Sequence, residues 1–250
     1  MPIDRGALIT EPPSGRPSAA DEPYLRYKVT ESGISPRAVP GVPGHLFVAA
    51  SDEHDEDGVL ISDVYTDTAR RKKMADKRAR KMAAVTAELP APTVSGPVDA
   101  EVTLVGWGST WGVLTEAADR LNSEGITTNH LHITFLAPFH SAEVTAILRA
   151  SRRIIVVENN QSGQFARHLR AETGILADGH IRKYDGEPFE PTHIVAGVKE
   201  ILANGTRVIE VLSREAGWQT EHPTGTSGEW AGRLMAVAVA PRAGHDPADA

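Results

Sequence analysis

The sequence predicts an α/β protein with an open, parallel-type sheet, preceded by an irregular segment that carries one long basic helix. Three observations predict it. Glu101 to Leu121 (EVTLVGWGSTWGVLTEAADRL) takes an apolar strand through Gly106 and Gly108 straight into an amphipathic helix. Ile154 to Leu169 (IIVVENNQSGQFARHL) does the same through a polar, Gly-containing turn. Strand-type and helix-type segments alternate between and after these two junctions. Strand-turn-helix units that repeat in one direction need a parallel sheet, and they put their turns on its ligand-facing edge.

The elements follow in order. Residues 1–23 have Pro, Ser and Gly where a core element needs apolar periodicity, and predict a flexible arm. From 24 to 58 the pattern is irregular, with turns at Ser35-Pro36 and Pro40-Gly41 and one apolar run, 46–50, that predicts a strand. Residues 66–89, rich in Ala, Lys, Arg and Met, predict a helix with Met74, Met82, Val85 and Leu89 towards one side. PAPTVSGP, 90–97, reads as a linker between a 24–95 segment and a 96–203 domain. Within that domain, strands are expected at 101–106, 126–134, 153–158 and 180–184, and helices at 110–123, 141–150, 163–172 and 191–202. Residues 204–250 read as an extension, with a strand at 207–212 and a helix near 229–237.

Composition narrows the function. The net charge is -7, which argues against a general nucleic-acid binder, because such proteins need a basic surface to displace counterions from phosphate. No run approaches the roughly 20 apolar residues that span a bilayer, and residues 1–16 lack a secretory apolar core. No membrane association and a cytoplasmic location are expected. The chain has no cysteine, which removes disulfides, thiolate nucleophiles, Cys-type zinc sites and cysteine-held iron–sulfur clusters.

Two turns stand out as candidate sites. Gly106, Gly108, Ser109 and Thr110 lie in GWGSTWG. Its spacing is GxGxxxG rather than the dinucleotide GxGxxG, and the following strand ends in His132-Ile133-Thr134-Phe135 without the acidic residue that binds a ribose. A tight junction capped by the Ser109 or Thr110 hydroxyl explains the same residues, and the two Trp side chains then need cover, which a partner subunit could supply. Glu158, Asn159, Asn160, Ser162 and Gln164 form the second turn. They offer more polar groups than one helix cap needs, so a ligand or interface role competes with capping plus a Glu158–Arg167 ion pair.

Other features read more plainly. Ser51 to Gly58 (SDEHDEDG) has closely spaced oxygen ligands but not the EF-hand pattern, and predicts a solvated acidic turn. The basic run from Arg70 to Lys81 predicts a solvated helix face. His130 and His132 share one face of a strand and predict a structural pair. His140 and His193, near helix starts, have no evident partner. There is no Gly-x-Ser-x-Gly elbow, HExxH pair or Walker A loop, so no catalytic residue is assigned.

With these residues in view, the chain resembles the C-terminal portion of 2-oxoacid:ferredoxin oxidoreductase alpha subunits, particularly the 2-oxoglutarate branch. The phrases that carry the resemblance are ESGISPRAVPG at 31–41, SDEHDEDG at 51–58, the basic helix at 70–83, GWGSTWG at 106–112, VVENNQSGQFARHLR at 156–170 and KYDGEPF at 183–189. They cover about residues 24–203. The resemblance implies a transketolase C-terminal-like domain at 96–203, and at 24–90 the end of a pyrimidine-binding domain. It implies a beta-subunit partner that carries thiamine diphosphate, magnesium and an iron–sulfur cluster. It implies coenzyme A as a substrate of the complex and ferredoxin as its electron acceptor. The family's long N-terminal part, with its Tyr-Pro-Ile-Thr-Pro segment, has no match here, which implies that this chain is not catalytic alone. A stand-alone nucleotide- or small-molecule-binding domain that uses the same two turns is the competing reading.

Overall fold

The structure is a computed structural model that describes residues 6–10, 24–62 and 67–213. The chain divides into two compact units, one ending at Pro90 and one beginning at Ala91.

In the first unit, β1 (Leu8–Ile9) pairs in parallel with β2 (Arg37–Ala38). Leu8 and Ile9 fall within the stretch expected to be an arm. The helix α1 (Thr68–Glu88) is N-capped by Asp67, whose carboxylate accepts the Arg70 N–H at 3.0 Å. Its buried positions are Met74 and Lys77, one turn apart, while Met82 is exposed. The expected apolar stripe is therefore narrower than its sequence suggests. Residues 46–50 form no strand, correcting that expectation.

The second unit holds a six-stranded sheet in the order β3-β5-β4-β6-β7-β8. Its strands are β3 (Val94–Ser95), β4 (Val102–Trp107), β5 (Thr128–Ile133), β6 (Ile154–Glu158), β7 (Gly179–Lys183) and β8 (Val208–Val211). All neighbours are parallel except the edge pair β3–β5. The antiparallel edge strand comes from PAPTVSGP, so a segment that reads as a linker supplies two residues of sheet. Both faces of the sheet are covered, which is why IIVVE in β6 is an unbroken apolar run ending in one carboxylate rather than an alternation.

Helices α2 (Trp111–Ser123) and α5 (Pro191–Asn204) cover one face, and α3 (Ser141–Ala150) and α4 (Gln164–Thr173) the other. Leu114, Ala117, Ala118 and Leu121 of α2 recur at helical spacing and are buried with Leu104, Val157 and Ile181. Each fully buried Leu or Ile of this kind contributes about 1.5–3 kcal/mol. The β4-to-β5 and β7-to-β8 connections step in opposite directions across the sheet, yet α2 and α5 lie on the same face. Those two crossovers are therefore of opposite hand. The other three connections share one hand, and the one through α5 has the opposite hand. The helix expected near 229–237 lies outside the described residues.

Candidate functional site

Strands β4 and β6 are parallel neighbours, with Leu104 opposite Ile155 and Val105 opposite Val156. From β4 the chain steps to β5 on one side, and from β6 to β7 on the other. The carboxyl ends of β4 and β6 thus flank the topological switch point, where open α/β sheets place their ligand crevice. GWGSTWG leaves the end of β4 and ENNQSGQ the end of β6, so the structure brings the two candidate turns together. The rings of Trp107 and Phe165 join them, with centroids 6.1 Å apart.

The first turn is shaped by how closely α2 passes. A Cβ on Gly106 would lie 2.3 Å from Leu114 Cδ1 and 2.5 Å from Thr110 Oγ1, so any side chain there would force the Leu114 and Thr110 side chains to move. Gly108 to Thr110 make one 3-10 turn before α2 starts. Capping by hydroxyl acceptance does not occur: the buried Thr110 hydroxyl donates back to the Trp107 carbonyl at 2.9 Å, and α2 has no side-chain cap. Gly108 and Ser109 are exposed. Trp107 is half-buried on Phe165, whereas Trp111 is 58% exposed.

The second turn is closed by its own side chains. Glu158 is completely buried, and its carboxylate accepts the N–H groups of Phe165 at 2.8 Å and Ala166 at 3.3 Å. It also takes a short bond from the Asn160 side-chain amide. The Asn160 oxygen in turn accepts the N–H groups of Gly163 at 2.7 Å and Gln164 at 3.0 Å. Glu158 thus caps α4, and its partners are backbone N–H groups at the helix start instead of the expected Arg167 guanidinium. A carboxylate at a helix N-terminus takes the place that a ligand phosphate would otherwise occupy. Asn159 and Gln164 remain exposed and Ser162 is half-buried.

The end of the next strand carries a polar group that the sequence reading did not single out. Lys183 is fully buried, and its ammonium bonds to Asp185 and, at 2.6 Å, to the Ser213 hydroxyl. Asp185 also accepts the N–H groups of Glu187 at 3.1 Å and Ser213 at 2.5 Å. Burial opposes ionisation of Asp185, but these donors outweigh it and hold the carboxyl below its ordinary value. The available signal was a lysine two residues after Ile181 on one strand face, with Asp185 two residues on. This cluster ties the end of β7 to the chain after β8.

His130 is buried beside His132, with ring centroids 5.5 Å apart, and burial lowers its pKa to about 4, the neighbouring imidazole adding to the effect. His193 does find a partner, since its ring Nδ1 accepts the Glu190 N–H at 3.1 Å in a capping box that starts α5.

In the first unit, two features expected to face solvent separately engage each other. Arg78 makes a two-pronged bond to Glu53 at 2.8 and 3.1 Å, Arg70 bonds Asp55 at 2.8 Å, and Lys73 bonds Glu56. Glu56 also accepts the Val29 N–H at 2.6 Å. Three carboxylates of the acidic turn are thus paired with the helix, while Arg70, Lys73 and Arg78 stay exposed, as do Asp52 and Asp57, so the pairing takes place on a surface that still faces solvent. Among the described residues no group of three or more His, Cys, Asp or Glu side chains could hold a metal ion. Lys77 lies beneath, donating to the Tyr27 carbonyl at 2.7 Å and the Ser35 hydroxyl at 2.5 Å, and burial lowers its pKa to about 8.

Residues 95–178 match the transketolase C-terminal domain family. An alpha subunit of a 2-oxoacid:ferredoxin oxidoreductase from Aeropyrum pernix is 35% identical over 214 residues, covering 84% of this chain and 31% of that protein. The KorA subunit of a 2-oxoglutarate oxidoreductase from Mycobacterium tuberculosis is 30% identical over 200 residues, 78% of this chain and 28% of the relative. Among solved structures, 2-oxoglutarate:ferredoxin oxidoreductase from Magnetococcus marinus, with 2-oxoglutarate, coenzyme A and succinyl-CoA bound, superposes with a TM-score of 0.63 at 34% identity. That match covers 73% of this chain and 31% of the other. Among the described residues, no helix is long and apolar enough to cross a membrane. Spanning under a third of the length of these relatives, the chain belongs to the family of 2-oxoacid:ferredoxin oxidoreductase alpha subunits.

Proposed function

We propose that this chain serves as a non-catalytic part of the alpha subunit of a 2-oxoacid:ferredoxin oxidoreductase. The substrate class follows the 2-oxoglutarate branch: a complex that decarboxylates a 2-oxoacid oxidatively onto coenzyme A and passes the electrons to ferredoxin. The observation that carries this reading is similarity to named alpha subunits along 84% of the chain. The chemistry of the residues supports the division of labour. Without cysteine the chain cannot ligate an iron–sulfur cluster through thiolates. Thiamine diphosphate, magnesium and the cluster fit a beta-subunit partner in the same compartment, the cytoplasm.

The role assigned to this chain is contact. The GWGSTWG turn presents Gly108, Ser109 and the exposed Trp111 at the switch point, and an exposed Trp is a strong interface anchor. The Glu158 turn, including Asn159, Asn160, Ser162 and Gln164, supports that edge from behind. The competing reading, a stand-alone nucleotide-binding domain, is disfavoured because Glu158 already fills the start of α4. Purification of the complex from its own cells, with an assay for 2-oxoglutarate- and coenzyme A-dependent viologen reduction, tests the proposal. Activity that needs this chain together with a thiamine-binding subunit supports it; a chain that stays alone and inert does not.

A further inference from the structure

We infer that the start of α5 is a proton-sensitive clasp, in which protonation of His193 frees one side of the loop 184–190 at the carboxyl edge of the sheet. The residue type at the third helical position is the origin of the effect. A capping box ordinarily closes with Glu or Gln there, whose side-chain oxygen stays an acceptor throughout the neutral range. This chain has His193 instead. Its ring Nδ1 accepts the Glu190 N–H at 3.1 Å, while the Glu190 carboxylate accepts the His193 N–H.

Only a neutral imidazole with its proton on Nε2 has a lone pair at Nδ1 to accept that bond. Adding a proton turns Nδ1 into a donor that faces another donor. It also sets a positive charge in the first turn of α5, at the positive end of the helix dipole. Burial of the ring is the largest influence on its ionisation and disfavours the charged form; Lys183, at the end of β7, adds to this, whereas Glu190 and Asp185 oppose it. The balance holds the imidazole pKa below its ordinary value, so the clasp is closed at neutral pH and opens in acid. Among the described residues, the other charges on the elements packed against α5 have partners or face solvent. On α2, Glu116 pairs with Arg120 and Asp119 is exposed; on β8, Glu210 accepts the Tyr184 hydroxyl at 2.9 Å. On α5 itself, Lys199 pairs with Glu124, and Glu200 accepts the Asn204 amide.

The loop has two anchors, and they respond differently to acid. At the β7 end, Asp185 binds the Lys183 ammonium and the N–H groups of Glu187 and Ser213, and these donors keep its carboxyl far below the usual range, so that anchor survives. At the α5 end, Phe189 is buried with Ile194 and Val195, and the next residue is the N-cap whose N–H His193 holds. Residues 184–188 between the anchors are exposed. Because β7 runs parallel to β6, this loop leaves the sheet on the same edge as the ENNQSGQ turn. Acid thus loosens one side of a loop on the ligand-facing edge while the sheet beneath it stays folded.

Hydrogen exchange of the Glu190 amide in the full chain, followed by NMR from about pH 8 to about pH 4 and corrected for intrinsic rates, tests the clasp separately from the proposed function. Its protection should fall about fivefold as the His193 ring takes its proton, the change that loss of one cap bond brings, while the Ile155 and Val156 amides of β6 stay protected. His193→Gln keeps an acceptor that does not titrate and should hold the Glu190 amide protected across the range. His193→Ala should leave it poorly protected throughout. A proton on Nδ1 at neutral pH, seen in the ring nitrogen shifts, would overturn the inference. So would unchanged protection through the His193 titration, or the same step in His193→Gln.

Discussion

The carboxylate of Glu158, at the last residue of β6, accepts the backbone N–H of Phe165 at 2.8 Å, inside the first turn of α4. A strand end and a helix start are thus joined through one buried side chain. Removing the carboxylate takes the acceptor from the buried Phe165 N–H and from the half-buried Ala166 N–H. Glu158→Ala should cost about 2–3 kcal/mol of stability in urea unfolding. Asn160→Ala should cost about 1 kcal/mol, as a lost cap does, and Asn159→Ala less than about 0.5 kcal/mol. Equal effects at 158 and 159 would contradict the assignment.

Acid should weaken the second unit through its histidines. His130 has a pKa of about 4 when folded against an ordinary 6.5, so between these values the unfolded chain binds a proton that the native chain does not. The stability it contributes is complete above about pH 6.5 and is lost as the pH falls to about 4, by up to about 3 kcal/mol. His132 and His180, both lowered mainly by burial, act in the same direction. His130→Leu should flatten this acid limb in a thermal-midpoint profile; an unchanged limb would assign it to other groups.

The contact between acidic turn and basic helix should respond to salt. Its ion pairs are partly exposed, so each is worth up to about 1 kcal/mol and is screened at high ionic strength. Arg78→Ala should lower the stability of the first unit by about 0.5–1 kcal/mol in dilute buffer and by less in 0.5 M salt, on the order of a Debye length of a few ångströms. Gly58→Ala is a harsher change, because φ there is +84° and the new Cβ would meet the Val48 carbonyl. A loss exceeding about 2 kcal/mol is expected, read by proteolysis of the 48–60 segment.

Trp111 separates folding from assembly. Because it is largely exposed, Trp111→Ala should change chain stability by less than about 1 kcal/mol. As an interface anchor it should weaken partner binding tenfold or more, measured by calorimetry with the remaining subunits. Normal assembly by this variant would remove the contact role from the GWGSTWG turn.

Much of the second unit was legible because its signals are local. The helices at 111–123, 141–150, 164–173 and 191–204 and the strands between them follow apolar periodicity and Gly-marked ends, and the two polar turns do meet at one edge. What escaped depends on contacts distant in sequence. Whether Val94–Ser95 joins a sheet is decided by His130 and Leu131 opposite it, not by PAPTVSGP itself. Strand propensity at 46–50 could not reveal that, among the described residues, no strand pairs with it. Glu158 was visible as a carboxylate at a strand end, but its choice of the α4 backbone over Arg167 follows from the tight Asn160–Gly163 turn. The acidic turn and the basic helix were both read correctly as charged, and only the tertiary fold pairs Glu53 with Arg78 across 25 residues.

The most direct test of the subunit account is calorimetry of the isolated chain with coenzyme A and nucleotides, beside viologen reduction by the chain with and without its copurified partners. The account predicts no saturable micromolar binding and no turnover alone, with 2-oxoglutarate- and coenzyme A-dependent reduction once the thiamine-binding subunit is present. Micromolar nucleotide binding by the isolated chain, abolished by changes at Ser109 or Gly108 and unaccompanied by any complex, would contradict it.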